Sequence, residues 1–538
     1  SSISLSGNSL SGPLPTELWE ISSLIVMDFS SNKLSGDLSP EVGNLTSLEY
    51  LDLNNNQFTG PVPSELGNLK SLTDLSLGQN SFSGSLPREI GGLTNLTNLY
   101  MASCQLTGQL PAEIGGLRSL VKIDFTHNYL SGPIPGSIGQ LKNLASLIMP
   151  YNLFNGSVPA DLGQCDGLRI VELSFNKLTG KLPDELSRLR FVASLSLEGN
   201  QLSGPIPGWL GGWQLLSSLL LATNHFEGNI PTELGNCSSL VTLSLNGNHL
   251  SGPLPTQLCN APLLSQLFLN RNFFNGTIDT TFQNCSSLTD IELNGNQLTG
   301  WLPGYLSKLE MLVALSIDGN NFSGPIPDEI WESKSLMEIS ARSNLLTGSL
   351  SGNVGKLSIL SQLCLDNNHL EGVLPVELGL LENLTTLTLS SNHFNGRIPP
   401  ELGNCSQLAT LDLGNNMLSG EIPGIFGKLP VLDCLVLSHN QLSGRIPEKV
   451  CSVSKEFNMP DSMFTQHFGV LDLSFNRLTG PIPNRIGNCS VLVNLLLQGN
   501  QLSGPIPEEL SLLYNLTTLD LSENALTGSI PPSFGKLG

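Results

Sequence analysis

Apolar and polar positions alternate over short runs, and the runs return at a fixed interval. ISLSGNSLSGPLP opens the chain, and LDLNNNQFTGPVP, LSLEGNQLSGPIP and LDLSENALTGSIP repeat its pattern further on. Alternation with a period of two predicts a short strand with one apolar face. An asparagine closes each run. A glycine suited to a tight turn follows, and then a proline, which has no N–H and suits a strand end.

With the asparagine as marker, the frame reads Asn8, Asn32, Asn56 and Asn80, then Asn128 and every 24 residues to Asn440, with Cys104 in the one remaining slot. The next marker is Asn476, after a step of 36, and Asn500 and Asn524 resume the period, giving 22 markers. The pattern LxxLxLxx(N/C)xL resembles the leucine-rich repeat, which accepts cysteine at the marker. The chain is therefore expected to be an α/β solenoid, a right-handed superhelix of 22 repeats with a parallel concave β-sheet. In the plant-type subclass that the (S/T)G-x-(I/L/V)P segment resembles, a second short strand and a 3₁₀-like convex segment follow the first strand. One repeat cannot cover its own apolar face, so stability comes from stacking. The inward asparagine is expected to satisfy backbone groups at the turn. At about 4.8 Å per strand the sheet would extend roughly 100 Å. Residues 1–450 are read as repeats 1–19, residues 451–467 as a short island insertion and residues 468–538 as repeats 20–22, with no domain boundary inside the solenoid. SSISLSGN looks like the middle of a repeat, and no capping unit is visible at either end, so the chain reads as a trimmed fragment of a longer one.

Composition narrows the function. Charged residues are only 13% of the chain, and 24 Lys+Arg against 45 Asp+Glu leave a formal charge of −21. Nucleic-acid binders carry a basic face, so that class is set aside, and a basic partner suits this surface better. No apolar run is long enough to span a bilayer, and the start is no signal peptide.

Five of the ten cysteines, Cys165, Cys237, Cys285, Cys405 and Cys489, share the phase eleven residues before a marker. There they replace an apolar core residue, and the shared phase argues for free buried thiols. Pairing of Cys434 with Cys451 stays open. His127, His225, His249, His369, His393 and His439 flank markers, without a cluster that completes a metal site. There is no phosphate loop, HExxH or nucleophile elbow. Neither enzymatic activity nor a cofactor is expected.

Eleven Asn-x-Ser/Thr sequons, at Asn44, Asn95, Asn155, Asn236, Asn275, Asn284, Asn321, Asn383, Asn404, Asn488 and Asn515, suggest an extracellular glycoprotein. None falls on the seven strand positions before a marker, so the concave face should be free of glycans. Most outward strand positions hold small polar residues. Among the exceptions, Ile148, Tyr151, Ile170 and Phe175 fall on adjacent coils as one expected patch, and Leu220, Phe268, Arg271 and Arg342 are further candidates for partner contact. The insertion CSVSKEFNMPDSMFTQHFG supplies Met459, Asp461, Phe464 and His467 as candidates. Insertions of this length are usually functional or disordered.

NMPDSMFTQHFGVLDLSFNRLTGPIP, PGWLGGWQLLSSLLLATNHFEGNIP and LPGYLSKLEMLVALSIDGNNFSGPIP together resemble the ectodomain of the excess-microsporocytes type of plant leucine-rich repeat receptor kinase, over essentially the whole chain. The resemblance implies a single-pass receptor at the plasma membrane with its ectodomain outside. It also implies a small secreted cysteine-rich ligand of the tapetum-determinant type, a co-receptor of the somatic-embryogenesis receptor kinase class, and a role in cell-fate signalling. The same scaffold serves immune-type receptors and secreted inhibitors of microbial wall hydrolases, and these are the alternatives.

Overall fold

The computed structural model describes residues 1–450 and 469–536. The chain forms two compact units, Ser1–Phe273 and Phe274–Gly538. The insertion at 451–467, with Met459, Asp461, Phe464 and His467, lies outside the described residues.

In the first unit, each repeat begins with a three-residue strand that pairs in parallel with the strand 24 residues on. Ser146–Ile148 pairs with Ile170–Glu172, which pairs with Ser194–Ser196. The middle residue of each strand points inward, and Leu147, Val171 and Leu195 are buried. After the marker a second strand forms, such as Tyr129–Pro133, which pairs with Leu153–Gly156. A 3₁₀ segment follows, as at Gly136–Gln140, behind a proline whose φ of −67° leads into it. The helical segments are 3₁₀ turns rather than α-helices throughout the described residues. A repeat of 24 residues leaves each turn only five helical residues, too few to propagate an α-helix. Glycine on this side permits close coil stacking: a Cβ at Gly163 would lie 2.2 Å from the Glu185 carbonyl oxygen of the next coil.

The second unit repeats the scheme from Asp290–Glu292 to Thr518–Asp520. The extra twelve residues do not disturb the frame: Cys434 pairs with Val470 and Leu435 with Leu471. Asn476 also spans the longer step, donating to the Leu437 carbonyl at 3.0 Å and accepting from the Leu442 N–H at 3.0 Å. The insertion therefore enters just before a sheet strand, Gly469–Asp472.

The markers do what their spacing predicts. Asn176 donates to the Leu173 carbonyl of its own coil and the Met149 carbonyl of the preceding one, and accepts from the Phe154 N–H. Cys104 keeps part of the role, with its thiol 3.2 Å from the Leu77 carbonyl.

The cysteines require a correction. Cys165, Cys237 and Cys405 are free and buried as expected, but Cys285 and Cys489, at the same phase, are disulfide-bonded, and so is Cys259. Same-phase cysteines lie two or more coils apart and cannot bridge one another, whereas a cysteine at another phase can come within bonding distance. Cys434 is a free thiol. Burial pushes the thiols of Cys165, Cys237 and Cys405 up to about 11, so they are poor nucleophiles in the fold. Thiol titration of the unreduced protein is expected to give at least six groups after denaturation, for Cys104, Cys165, Cys237, Cys364, Cys405 and Cys434, and almost none before it. Rapid native labelling would contradict the burial.

Candidate functional site

The chain has to turn sharply where each strand meets its marker. The residue before the marker takes up that turn in the left-handed region, with φ of 53° at His127, 54° at Tyr151 and 52° at Phe175. Several coils place glycine there, as at Gly199 and Gly247, the residue that adopts this region without cost. Glycine or not, a hydrogen bond to the next coil holds the residue: the Gly199 N–H reaches the Ala222 carbonyl at 3.0 Å, the Tyr151 N–H the Ser174 carbonyl at 3.0 Å and the Phe175 N–H the Glu198 carbonyl at 2.7 Å. A bulky side chain at positive φ is uncommon and points to a role for the side chain itself.

In the first unit three such residues form a ladder. The His127 and Tyr151 rings stack at 4.3 Å and 6°, and Tyr151 and Phe175 at 4.6 Å and 8°. The Phe175 ring ends over Gly199, where a Cβ would lie 2.6 Å from it. Tyr151 is 44% exposed and Phe175 40%, so much of both rings meets solvent although they pack against each other. The structure thus brings Tyr151 and Phe175 together and adds His127, which the sequence reading placed only on the flank. Its signal was the 24-residue offset at the position before the marker.

Ile148 and Ile170 sit on the neighbouring strands but do not face each other. Ile148 is in register with Asp124 and Glu172, and Ile170 with Ser146 and Ser194. Leu220 and Phe268 are half-buried, with Ser244 between them in the frame. Arg271 is exposed and shares the left-handed column at φ 56°.

The second unit carries a shorter ladder at the corresponding repeat position: His439 stacks on Phe475 at 4.4 Å, and Phe475 ends over Gly499. Arg342, a candidate contact residue, is held within the unit. Its Nε lies 3.0 Å from Asp366 Oδ2, and its backbone N–H donates to Asp318 at 2.6 Å. Further along the same face, Asp412 accepts from the Gly414 N–H at 2.9 Å. Burial, aided by the Asp366 charge, pushes its carboxyl up to about 6. The folded state therefore holds the proton more tightly than the unfolded chain, and this stabilising contribution is complete below the unfolded carboxylate range and lost as pH rises through about 6. Part of the gain in melting temperature on going from pH 7 to pH 5 is expected to disappear in Asp412→Asn. An identical pH profile for the variant would refute this.

All eleven sequon asparagines are exposed, and none lies on a first strand of its repeat; Asn155, Asn275 and Asn321 sit on the second strands. The His225 and His249 rings meet at a tilt of 35°, 5.4 Å apart, and His369 meets His393 edge-on at 5.9 Å. Among the described residues no group of three His, Cys, Asp or Glu gathers to hold a metal, and no helix is long and apolar enough to cross a membrane.

Two leucine rich repeat family models match the chain. One covers residues 46–106 and 262–322, and the other covers eight single repeats: 119–141, 167–189, 192–213, 239–261, 383–405, 407–429, 469–489 and 515–537. A stretch of 40 residues is 60% identical to the leucine-rich repeat receptor protein kinase MSP1 of Oryza sativa subsp. japonica, covering 7% of this chain and 3% of that protein. Among solved structures, the plant peptide hormone receptor RGFR1 in complex with RGF2 superposes with a TM-score of 0.89 at 34% identity, over 100% of this chain and 83% of that one. PEPR1 with AtPEP1 gives 0.86 at 38% identity, over 94% of this chain and 70% of that one. The Arabidopsis receptor kinase HAESA, solved with the peptide hormone IDA and the co-receptor SERK1, gives 0.80 at 36% identity, over 93% and 82%.

Proposed function

The chain belongs to the ectodomains of plant leucine-rich repeat receptor kinases, and from that premise we propose that it is the ligand-binding part of a receptor of the excess-microsporocytes type. It is a binding scaffold rather than a catalytic domain. On this reading it lies outside the plasma membrane and senses a small secreted cysteine-rich protein of the tapetum-determinant type in cell-fate signalling. It then recruits a co-receptor of the somatic-embryogenesis receptor kinase class. The observation that carries the reading is the aromatic ladder His127–Tyr151–Phe175, exposed on a sheet face without sequons and held in a backbone conformation that favours glycine. The rice receptor match and the MPD…QH-G segment support the choice of receptor type. HAESA, solved with SERK1, supports the co-receptor class.

Isothermal titration of the purified ectodomain with a recombinant tapetum-determinant-type protein tests the ligand. Saturable binding at micromolar affinity or better is expected, about −8 kcal/mol or more favourable. Absence of binding, with saturable binding of a microbial polygalacturonase instead, would move the chain to the inhibitor class. The exposed sequons lead to a further expectation: protein secreted from plant or insect cells should lose mass on glycosidase treatment. An unchanged mass would remove the glycoprotein assignment.

A further inference from the structure

We propose that Tyr151 and Phe175, together with Glu172 and Glu198, form a subsite for one arginine of the protein ligand. The guanidinium meets the two carboxylates, and the aliphatic stem lies along the exposed ring edges. The inference rests on the reading of this face as the ligand surface and narrows it to a residue type.

The rings occupy one another's faces at 4.3–4.6 Å, so what they offer a partner is chiefly their apolar edges. Aliphatic carbon covers such edges well, and a long basic side chain brings both an apolar stem and a charged head. The carboxylates flank Phe175. Glu172 accepts from the Ser174 N–H at 3.2 Å and from the Ser174 hydroxyl, which fixes it beside the residue before Phe175. Glu198 belongs to the next coil, whose carbonyl takes the Phe175 N–H.

Neither carboxylate has a cation. The ion pairs among the described residues are Arg88–Glu89, Arg342–Asp366 and Lys356–Glu332. Lys122, on the same sheet, and Lys177, beyond the turn, pair with neither glutamate. Burial first, and then the charge of Glu172, raise the carboxyl pKa of Glu198. In the second unit one such carboxylate is supplied from within: Arg342, two positions before its marker, reaches Asp366 at that position of the next coil through its guanidinium Nε, while Asp318 at that position of the preceding coil accepts the Arg342 backbone N–H. Glu198 holds that position in the first unit, but its flanking residues there are Ser174 and Ala222. A basic side chain of the partner would supply the cation that this chain does not. Arginine fits better than lysine because its planar fork can serve two carboxylates at once.

The probes are three rhodamine-labelled pentapeptides, Gly-Ser-Arg-Ser-Gly and its lysine and citrulline counterparts, measured by fluorescence anisotropy at low salt. The wild-type ectodomain is expected to prefer the arginine peptide about tenfold, the worth of one charge-assisted hydrogen bond. Glu172→Gln with Glu198→Gln should abolish the preference, Phe175→Ala should weaken binding, and Asp412→Asn should change neither. Equal binding of the three peptides, no binding by any, or a preference that survives the double variant would overturn the proposal. The tapetum-determinant-type protein separates the two readings. If it binds wild type and double variant alike, the subsite fails and the receptor reading stands. If it does not bind while the arginine peptide does, the subsite stands and the ligand assignment fails.

Discussion

Tyr151→Gly combined with Phe175→Gly is expected to weaken ligand binding by about 2 kcal/mol or more, the usual scale for central aromatic contacts, and to leave the melting temperature nearly unchanged. The second half of this expectation makes the experiment informative. Both residues sit at positive φ, 54° and 52°, where a non-glycine residue costs roughly 1–3 kcal/mol. Gly199 occupies the same position one coil on at φ 66°. Glycine relieves that strain, while loss of the ring stacking acts in the other direction. A purely structural ladder would show its loss as lower stability with unchanged affinity. A binding ladder shows the opposite. Calorimetric binding and thermal unfolding on the same preparation decide between them, and unchanged affinity would move the site elsewhere on the sheet.

Asn200→Ala is expected to lower the unfolding free energy by about 3 kcal/mol, the upper part of the range for an unpaired buried polar group. Its amide donates to the Leu197 and Leu173 carbonyls at 2.9 and 3.0 Å, and its Oδ1 accepts from the Leu178 N–H at 3.0 Å. Asn200 is 6% exposed, so water cannot replace these partners, and the loss falls on two adjacent coils. Asn8, in the first coil, is exposed and bonds only the Leu5 and Ser6 carbonyls of its own turn. Asn8→Ala should therefore cost under about 1 kcal/mol. Chemical denaturation of both variants measures the difference, and equal losses would mean that the markers do not act through burial.

Much of this was legible in the sequence, because a repeat protein writes its packing as a period. The alternation of Leu with polar residues located the strands, and marker spacing located the coils. The lone 36-residue step located the insertion before Gly469–Asp472. The inward asparagines followed from the same phase. The patch was half legible: Tyr151 and Phe175 were recognisable as large residues at a position usually small, but His127 was set aside as a flanking residue. Its ring belongs with theirs because parallel stacking in register carries one position of successive coils in the unit into a column, about 4.8 Å apart.

What the sequence determined by itself is whatever depends on one coil repeated: strand, turn, second strand, 3₁₀ segment and the inward asparagine. What only the tertiary structure decided is whatever depends on a relation between coils. The left-handed turn at Tyr151 exists because the Ser174 carbonyl of the next coil takes its N–H. Arg342, by identity a candidate for partner contact, is held by Asp366 24 residues away. Cys285 and Cys489 have the phase of core thiols and are bonded nonetheless, because a shared phase sets the depth of a side chain and not which neighbour it meets.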